Sequence, residues 1–279
     1  MYSGFITSKR IVPAVGVHQR FNAASYRMIA PYFAEGTFPT LKQLMHFEGM
    51  NGPDGLKVKS PGHHDPGHLY NPETGAGDIP RLITDHYRNL VSALRSKDLV
   101  RAGFDAAWLA HYICDGLTPA HHFPLNENVA KQSEHSKRIP KRYKYTVIVP
   151  GINFFDTIRR SWAVWGGKGL LTTHFNFEVG VAAALVGFRL KADLNHEQLA
   201  KARSVSLLPF FKSEAQSIAE LEMYKSFYVS GWNSELARMV KNRLAPQIVQ
   251  TIAIAWLLAY LEAGLESAKL AQPRRSKKR

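Results

Sequence analysis

The chain has 279 residues, 45% of them apolar, with 15 Phe, 11 Tyr and 5 Trp, and it carries a formal net charge of +14. That length and aromatic content support a well-buried core and exclude disorder throughout, whose compositional condition is low hydrophobicity. A single cysteine, Cys114, excludes a disulfide scaffold and a four-thiolate zinc site.

Read in order, the pattern is helical almost throughout, which predicts an all-α, single-domain multi-helix bundle with long loops over residues 1–270. Val17–Ala30 places Val17, Phe21, Ala24 and Met28 at helical spacing. Between it and the next helix lies a long loop, Pro61–Pro80, with four Pro and four Gly in 20 residues; loops of that length usually have a function. Pro80–Ser96 opens with proline in a first turn, and Lys97–Asp115 is expected to stop at Gly116, with Pro119 just beyond. Lys144–Val149 reads as the one strand. Leu171–Leu190, Glu197–Leu207, Lys212–Val229 and Ala245–Leu270 complete the helices, the last a central core helix. Its unbroken apolar run, Ile252–Leu261, is shorter than the roughly 20 residues that cross a bilayer. The N-terminal residues lack the continuous apolar core of a secretory signal, so the sequence as given reads as soluble, with no transmembrane segment.

The positive charge is concentrated. Lys131, Lys137, Arg138, Lys141, Arg142 and Lys144 face one acid, Glu134, and the tail Arg274–Arg279 adds five more cations; the rest of the chain is left with +4. Basic appendages of this kind fit contact with a polyanion, a nucleic acid or an anionic membrane surface, and equally a solvated loop and a frayed tail over 271–279.

The informative positions are ionisable residues on apolar stripes. Phe104, Trp108, His111 and Asp115 share one helix face, and His174, Glu178, Val181, Leu185 and Phe188 share another. An ionisable group there is costly unless it is paired or holds a metal. Chance supplies about one His-x3-acid pair in such a composition, so either pair alone is explained by a histidine bonded to its i+4 carboxylate. Six residues after Asp115 comes His121, in the segment His111-Tyr-Ile-Cys-Asp-Gly-Leu-Thr-Pro-Ala-His121. Imidazole and carboxylate ligands with little sulfur suit zinc.

That segment resembles the H-x3-D-x5-H signature of the zinc-dependent phospholipase C and S1/P1 nuclease superfamily. His68-Leu-Tyr-Asn-Pro-Glu-Thr-Gly75 is similar to the H-F-Y-D-P-D-N-G element of bacterial phospholipases C, and the run from His86 to His111-Tyr112 is similar to the family's helix pair. His174-x3-Glu178 matches its later H-x3-E pair, and His18-Gln-Arg-Phe-Asn22 resembles its first-helix histidine. The order of these elements is kept across residues 18–178, and their combination is more specific than any one of them.

The resemblance implies two or three Zn2+ ions. His68, His111 and Asp115 would hold the first, His121, His174 and Glu178 the second, and His18 a third, with Asp115 bridging the first and third. Asp54, 14 residues before His68, stands where the family places an aspartate that binds metal or acts as general base; its setting, Asn51-Gly-Pro-Asp-Gly55, is also ordinary turn chemistry. The implied activity is hydrolysis of a phosphodiester by metal-activated water, phospholipase C-like, with a single-strand nuclease as the alternative and a non-catalytic basic binding protein with a structural metal site as a third reading. Secretion is the family's habit, whereas this sequence as given reads as cytoplasmic.

Two departures from the family pattern stand out. The family completes its third zinc site with an N-terminal tryptophan, and this sequence has no Trp before Trp108. His121 and His174 are separated by 52 residues, which leaves a basic insertion over about 123–170 containing Lys131–Lys144, Trp162 and Trp165. That insertion is the candidate lid or substrate-docking element. No H-E-x-x-H, G-x-S-x-G, Glu-x-x-His or complete phosphate loop occurs, and His64-Asp65 lies in a Gly/Pro loop where a metal phosphohydrolase dyad needs a helix.

Overall fold

The computed structural model describes residues 16–55, 68–122, 156, 170–190 and 193–267. Among these, 75% are helical and none lies in a strand; the fold is all-α. The strand expected at Lys144–Val149, the basic stretch, Trp162, Trp165 and the tail lie outside the described residues.

The helices are α1 (Val17–Ile29), α2 (Leu41–His46), α3 (Ile79–Arg95), α4 (Leu99–Leu117), α5 (Pro119–His122), α6 (Leu170–Leu185), α7 (His196–Val205), α8 (Leu207–Ala219), α9 (Met223–Ser230), α10 (Ser234–Met239) and α11 (Ala245–Glu262). A π-helical turn, Val240–Leu244, joins α10 to α11. The resulting run Ser234–Glu262 is long and apolar enough to cross a membrane by length and composition, but 78% of its apolar window is buried within the protein. It is the core helix that its composition predicts. Every residue from Thr251 to Tyr260 is buried, and α1, α3, α4 and α8 pack around it. Two polar ties fix that packing: Ser25 Oγ donates to the Val249 carbonyl at 2.9 Å, and Trp256 Nε1 donates to the Ala106 carbonyl at 2.9 Å.

The α3/α4 hairpin carries the site. Ile79, Leu82, Ile83, His86, Leu90 and Leu94 form the buried stripe of α3. The connection turns through Lys97, in the left-handed region at φ 60°, and Asp98 caps α4 by accepting from the Arg101 N–H at 2.9 Å. The helix therefore starts after Asp98, not at Lys97 as expected.

Its end also differs from expectation. α4 runs through Gly116 to Leu117. A Cβ at Gly116 would stand 2.5 Å from Phe211 Cζ and 2.9 Å from Ile79 Cγ2, so this glycine is required by close packing of α4 and does not stop the helix. Elsewhere the expected Lys212–Val229 helix is two helices, α8 and α9, divided where Glu222 turns left-handed at φ 48°. α6 ends at Leu185 and α11 at Glu262, each shortly before a left-handed glycine, Gly187 and Gly264. α2, which apolar periodicity does not announce, is opened by a capping box: Gln43 N–H donates to Thr40 Oγ1 at 3.3 Å and Thr40 N–H donates to Gln43 Oε1 at 2.8 Å.

Candidate metal centre

From Asp105 to His121 every residue of the described chain is buried, so the polar groups on the second half of α4 have no solvent to satisfy them. Asp115 is the hub. Its Oδ2 lies 2.6 Å from His68 Nδ1 and 3.3 Å from His111 Nε2; its Oδ1 lies 3.3 Å from His18 Nε2 and 3.4 Å from His121 Nε2. One carboxylate thus faces two pairs of imidazoles, one pair per oxygen. Beyond His121, Glu178 Oε1 lies 3.2 Å from His121 Nε2 and 3.0 Å from His174 Nε2.

Each ligand reaches this point by a local device. α1 brings His18 parallel to His111, with ring centroids 4.1 Å apart and planes 5° from each other. The described part of the long loop is a compact turn: Asn71 Oδ1 accepts from the N–H groups of Glu73 and Thr74, and Asn71 N–H donates to the Ala76 carbonyl at 2.8 Å. At Gly77 (φ 116°) a Cβ would meet the Leu69 carbonyl oxygen, so the turn closes only around glycine. This turn is bonded to α5 twice. Tyr70 N–H donates to the His121 carbonyl at 3.1 Å, and His121 Nδ1–H donates to the His68 carbonyl at 2.6 Å. α6 is held by Trp232, which lies against Gly180 and donates from Nε1 to the Asn176 carbonyl at 3.1 Å. Phe177 packs with Tyr224, Phe227 and Trp232 below it.

The donor geometry fits metal ions. Two ligands bound at about 2.1 Å to a tetrahedral zinc stand about 3.4 Å apart. The contacts of Asp115 with His18, His111 and His121, and of Glu178 with His121 and His174, span 3.0–3.4 Å. His18 Nε2 and His111 Nε2 are buried and make no hydrogen bond, a costly state that a bound cation relieves. Three groups have ligand atoms close enough to hold an ion: His18, His111 and Asp115; Asp54, His68 and His111; and His121, His174 and Glu178. All eight residues singled out from the sequence are therefore brought into these three groups. The grouping differs in detail from the family-based expectation, because Asp54 joins His68 and His111 and because His111 is shared. Asp54 Oδ1 lies 3.8 Å from His111 Nε2 and is half-buried.

Electrostatics follow from burial against charge. Burial pulls the His111 imidazole down, but Asp115, Glu48 and Asp54 together push it up to about 10. Burial pushes the Asp54 carboxyl up, and the field of His111 reverses this, leaving it well below the usual carboxylate range. Asp115 and Glu178 are likewise held well below that range against burial, by the imidazoles around them. His121 goes the other way: burial brings it down to about 3 and keeps it neutral.

Glu48 is the residue that sequence reasoning misses. It is buried, and its Oε1 accepts from His111 Nδ1–H at 3.1 Å. A lone glutamate ahead of a Gly-rich turn has no periodicity to mark it; only its place beside Gly49 and Gly52 hints at a turn. His86, assigned no role from the sequence, pairs with buried Asp105 at 2.8 Å. His122 Nε2–H donates to the Gly116 carbonyl at 2.5 Å, and its side chain is half-buried.

No protein-family model matches the chain, and no curated protein matches it either.

Proposed function

We propose that this chain is a zinc-dependent phosphodiester hydrolase, phospholipase C-like, acting on a phospholipid with an activated water. The observation that supports it most is the division of Asp115, whose two oxygens face different imidazole pairs beside the His121–His174–Glu178 group. A carboxylate shared in this way suits neighbouring divalent cations, and a single structural ion does not need it. His68, His111 and Asp115 would hold one ion, His121, His174 and Glu178 a second, and His18 with Asp115 a third.

Zinc held by these residues would supply a water acidified to a pKa of about 7 and neutralise charge on the phosphoryl oxygens. The chain's own residues do the rest. Asp54, ionised and half-buried at the edge of the first group, would accept a hydrogen bond from the attacking water and fix its orientation. Asp115 and Glu178 stay ionised and balance the cations. His121, already neutral, offers its Nε2 lone pair without first losing a proton.

The lipid assignment rests on the His68–Gly75 element and Tyr112, whereas the net charge of +14 favours a single-strand nuclease as second reading. Zinc per chain by elemental analysis, followed by release of phosphorylated headgroup from phosphatidylcholine vesicles beside cleavage of single-stranded DNA, separates them. Two or three zinc ions with lipid turnover are expected. DNA turnover alone would move the chain to the nuclease reading, zinc without turnover would sink the enzyme reading, and no zinc would sink the metal centre itself.

A further inference from the structure

We infer that Glu48 is a positioning residue of this centre: it fixes the His111 ring so that Nε2 faces Asp115, and it makes the His111 position tighter than the His121 position. The inference rests on the metal-centre reading above. The Glu48 side chain has no exposed surface. Its Oε1 accepts from His111 Nδ1–H at 3.1 Å and from the Gly49 N–H at 3.2 Å, and its Oε2 accepts from Asn22 Nδ2 at 3.3 Å. So complete a burial makes the carboxylate depend on these hydrogen bonds. With Nδ1–H committed to Glu48, Nε2 is the ring nitrogen left to face a metal; it has no hydrogen bond and stands 3.3 Å from Asp115 Oδ2.

Asn22 extends the arrangement to the neighbouring ligand. It sits four residues after His18 on α1, and the His18 ring stacks on that of His111. Glu48 therefore ties together the two helices that bring these imidazoles into register. The second position is supported differently. His121 Nδ1–H donates to a neutral backbone carbonyl, that of His68. A carboxylate raises the basicity of the ligating imidazole more than a carbonyl does, and loss of such a partner typically lowers metal affinity by roughly 10–100-fold.

The test is a chelator competition on the full chain, with zinc alone as the probe and circular dichroism of the metal-free protein to confirm the fold. The wild type is titrated first; absence of zinc there would overturn the metal centre itself, before Glu48 is at issue. Glu48→Gln keeps shape and removes charge. We expect the tighter class of zinc to weaken by roughly 10–100-fold while the weaker class is unchanged, and no further loss when the substitution is made in a His111→Ala background. Equal weakening of both classes, no weakening, or the same loss without His111 would each overturn the inference. If Glu48→Gln does not fold, Asn22→Ala is read by the same titration: selective weakening of the tighter class supports the role, and unchanged affinity overturns it.

Discussion

α4 carries two histidine–carboxylate clusters, one in each half, and they are built on opposite principles. In the first half Asp105 accepts from His86 Nδ1 at 2.8 Å and from Arg101 Nε at 2.5 Å. Here one carboxylate meets one ring and one guanidinium, and Arg101 extends into solvent. In the second half one carboxylate, Asp115, is surrounded by four imidazoles, and ring nitrogens of His18 and His111 are buried without a hydrogen bond. The first cluster is paired within the protein; the second has ligand atoms placed so that they could hold cations. A tryptophan, a tyrosine and a phenylalanine on the same helix bridge them: Phe104 and Trp108 lie against His86, and Tyr112 touches both His86 and His68.

The largest effect should come from removing the hub of the second cluster. Asp115→Asn keeps the volume and removes the charge that two imidazole pairs share. Zinc content should fall, and turnover should drop by more than about 100-fold, the upper end of what losing a supporting partner alone costs. Elemental analysis and kinetics on the same preparation read both. Full zinc and full activity in this variant would break the distinction between the two clusters.

The converse holds for the first cluster. Asp105→Ala leaves a buried imidazole and a guanidinium without their carboxylate, and breaking a buried pair costs about 3 kcal/mol. Urea denaturation should show that loss, while zinc content and the zinc-dependence of activity stay at wild-type values. If zinc were lost as well, the aromatic bridge through Trp108 and Tyr112 would be carrying more than packing between the clusters.

This contrast also explains what could be read in the sequence. His111, Asp115, His174 and Glu178 are legible because an ionisable group recurring at helical spacing on an apolar stripe conflicts with its surroundings. The α3/α4 hairpin and the core helix α11 are legible for the same reason in reverse, since their apolar stripes agree with burial. His86 and Asp105 come from different helices, 19 residues apart, and no spacing rule links them. Glu48 lies outside any periodic element and shows itself only when α1 and α4 close over it. A glycine near a proline, as Gly116 is near Pro119, signals a helix end, and only the ring of Phe211 reveals that it is there for lack of a side chain. Local rules identify conflict within one element; they carry no information on which distant element resolves it.

The smallest predicted effect is on proton linkage, and it separates the clusters in solution. In the metal-free protein the folded pKa of His111 is raised to about 10 from an ordinary value of 6.5. The stability this gives the metal-free fold is fully present below pH 6.5 and is lost as the pH rises through about 10. Zinc must displace that proton, so zinc affinity should rise about tenfold per pH unit across this window, with one proton released per ion at the His111 position. Titration calorimetry in buffers of different ionisation enthalpy measures the proton count directly. His121 itself should release none there, because its imidazole is neutral already, so the two classes of zinc should diverge in affinity as the pH rises. A proton release that is equal at both positions would mean that the carboxylates around His111, Glu48 among them, do not hold the charge that their geometry assigns to them.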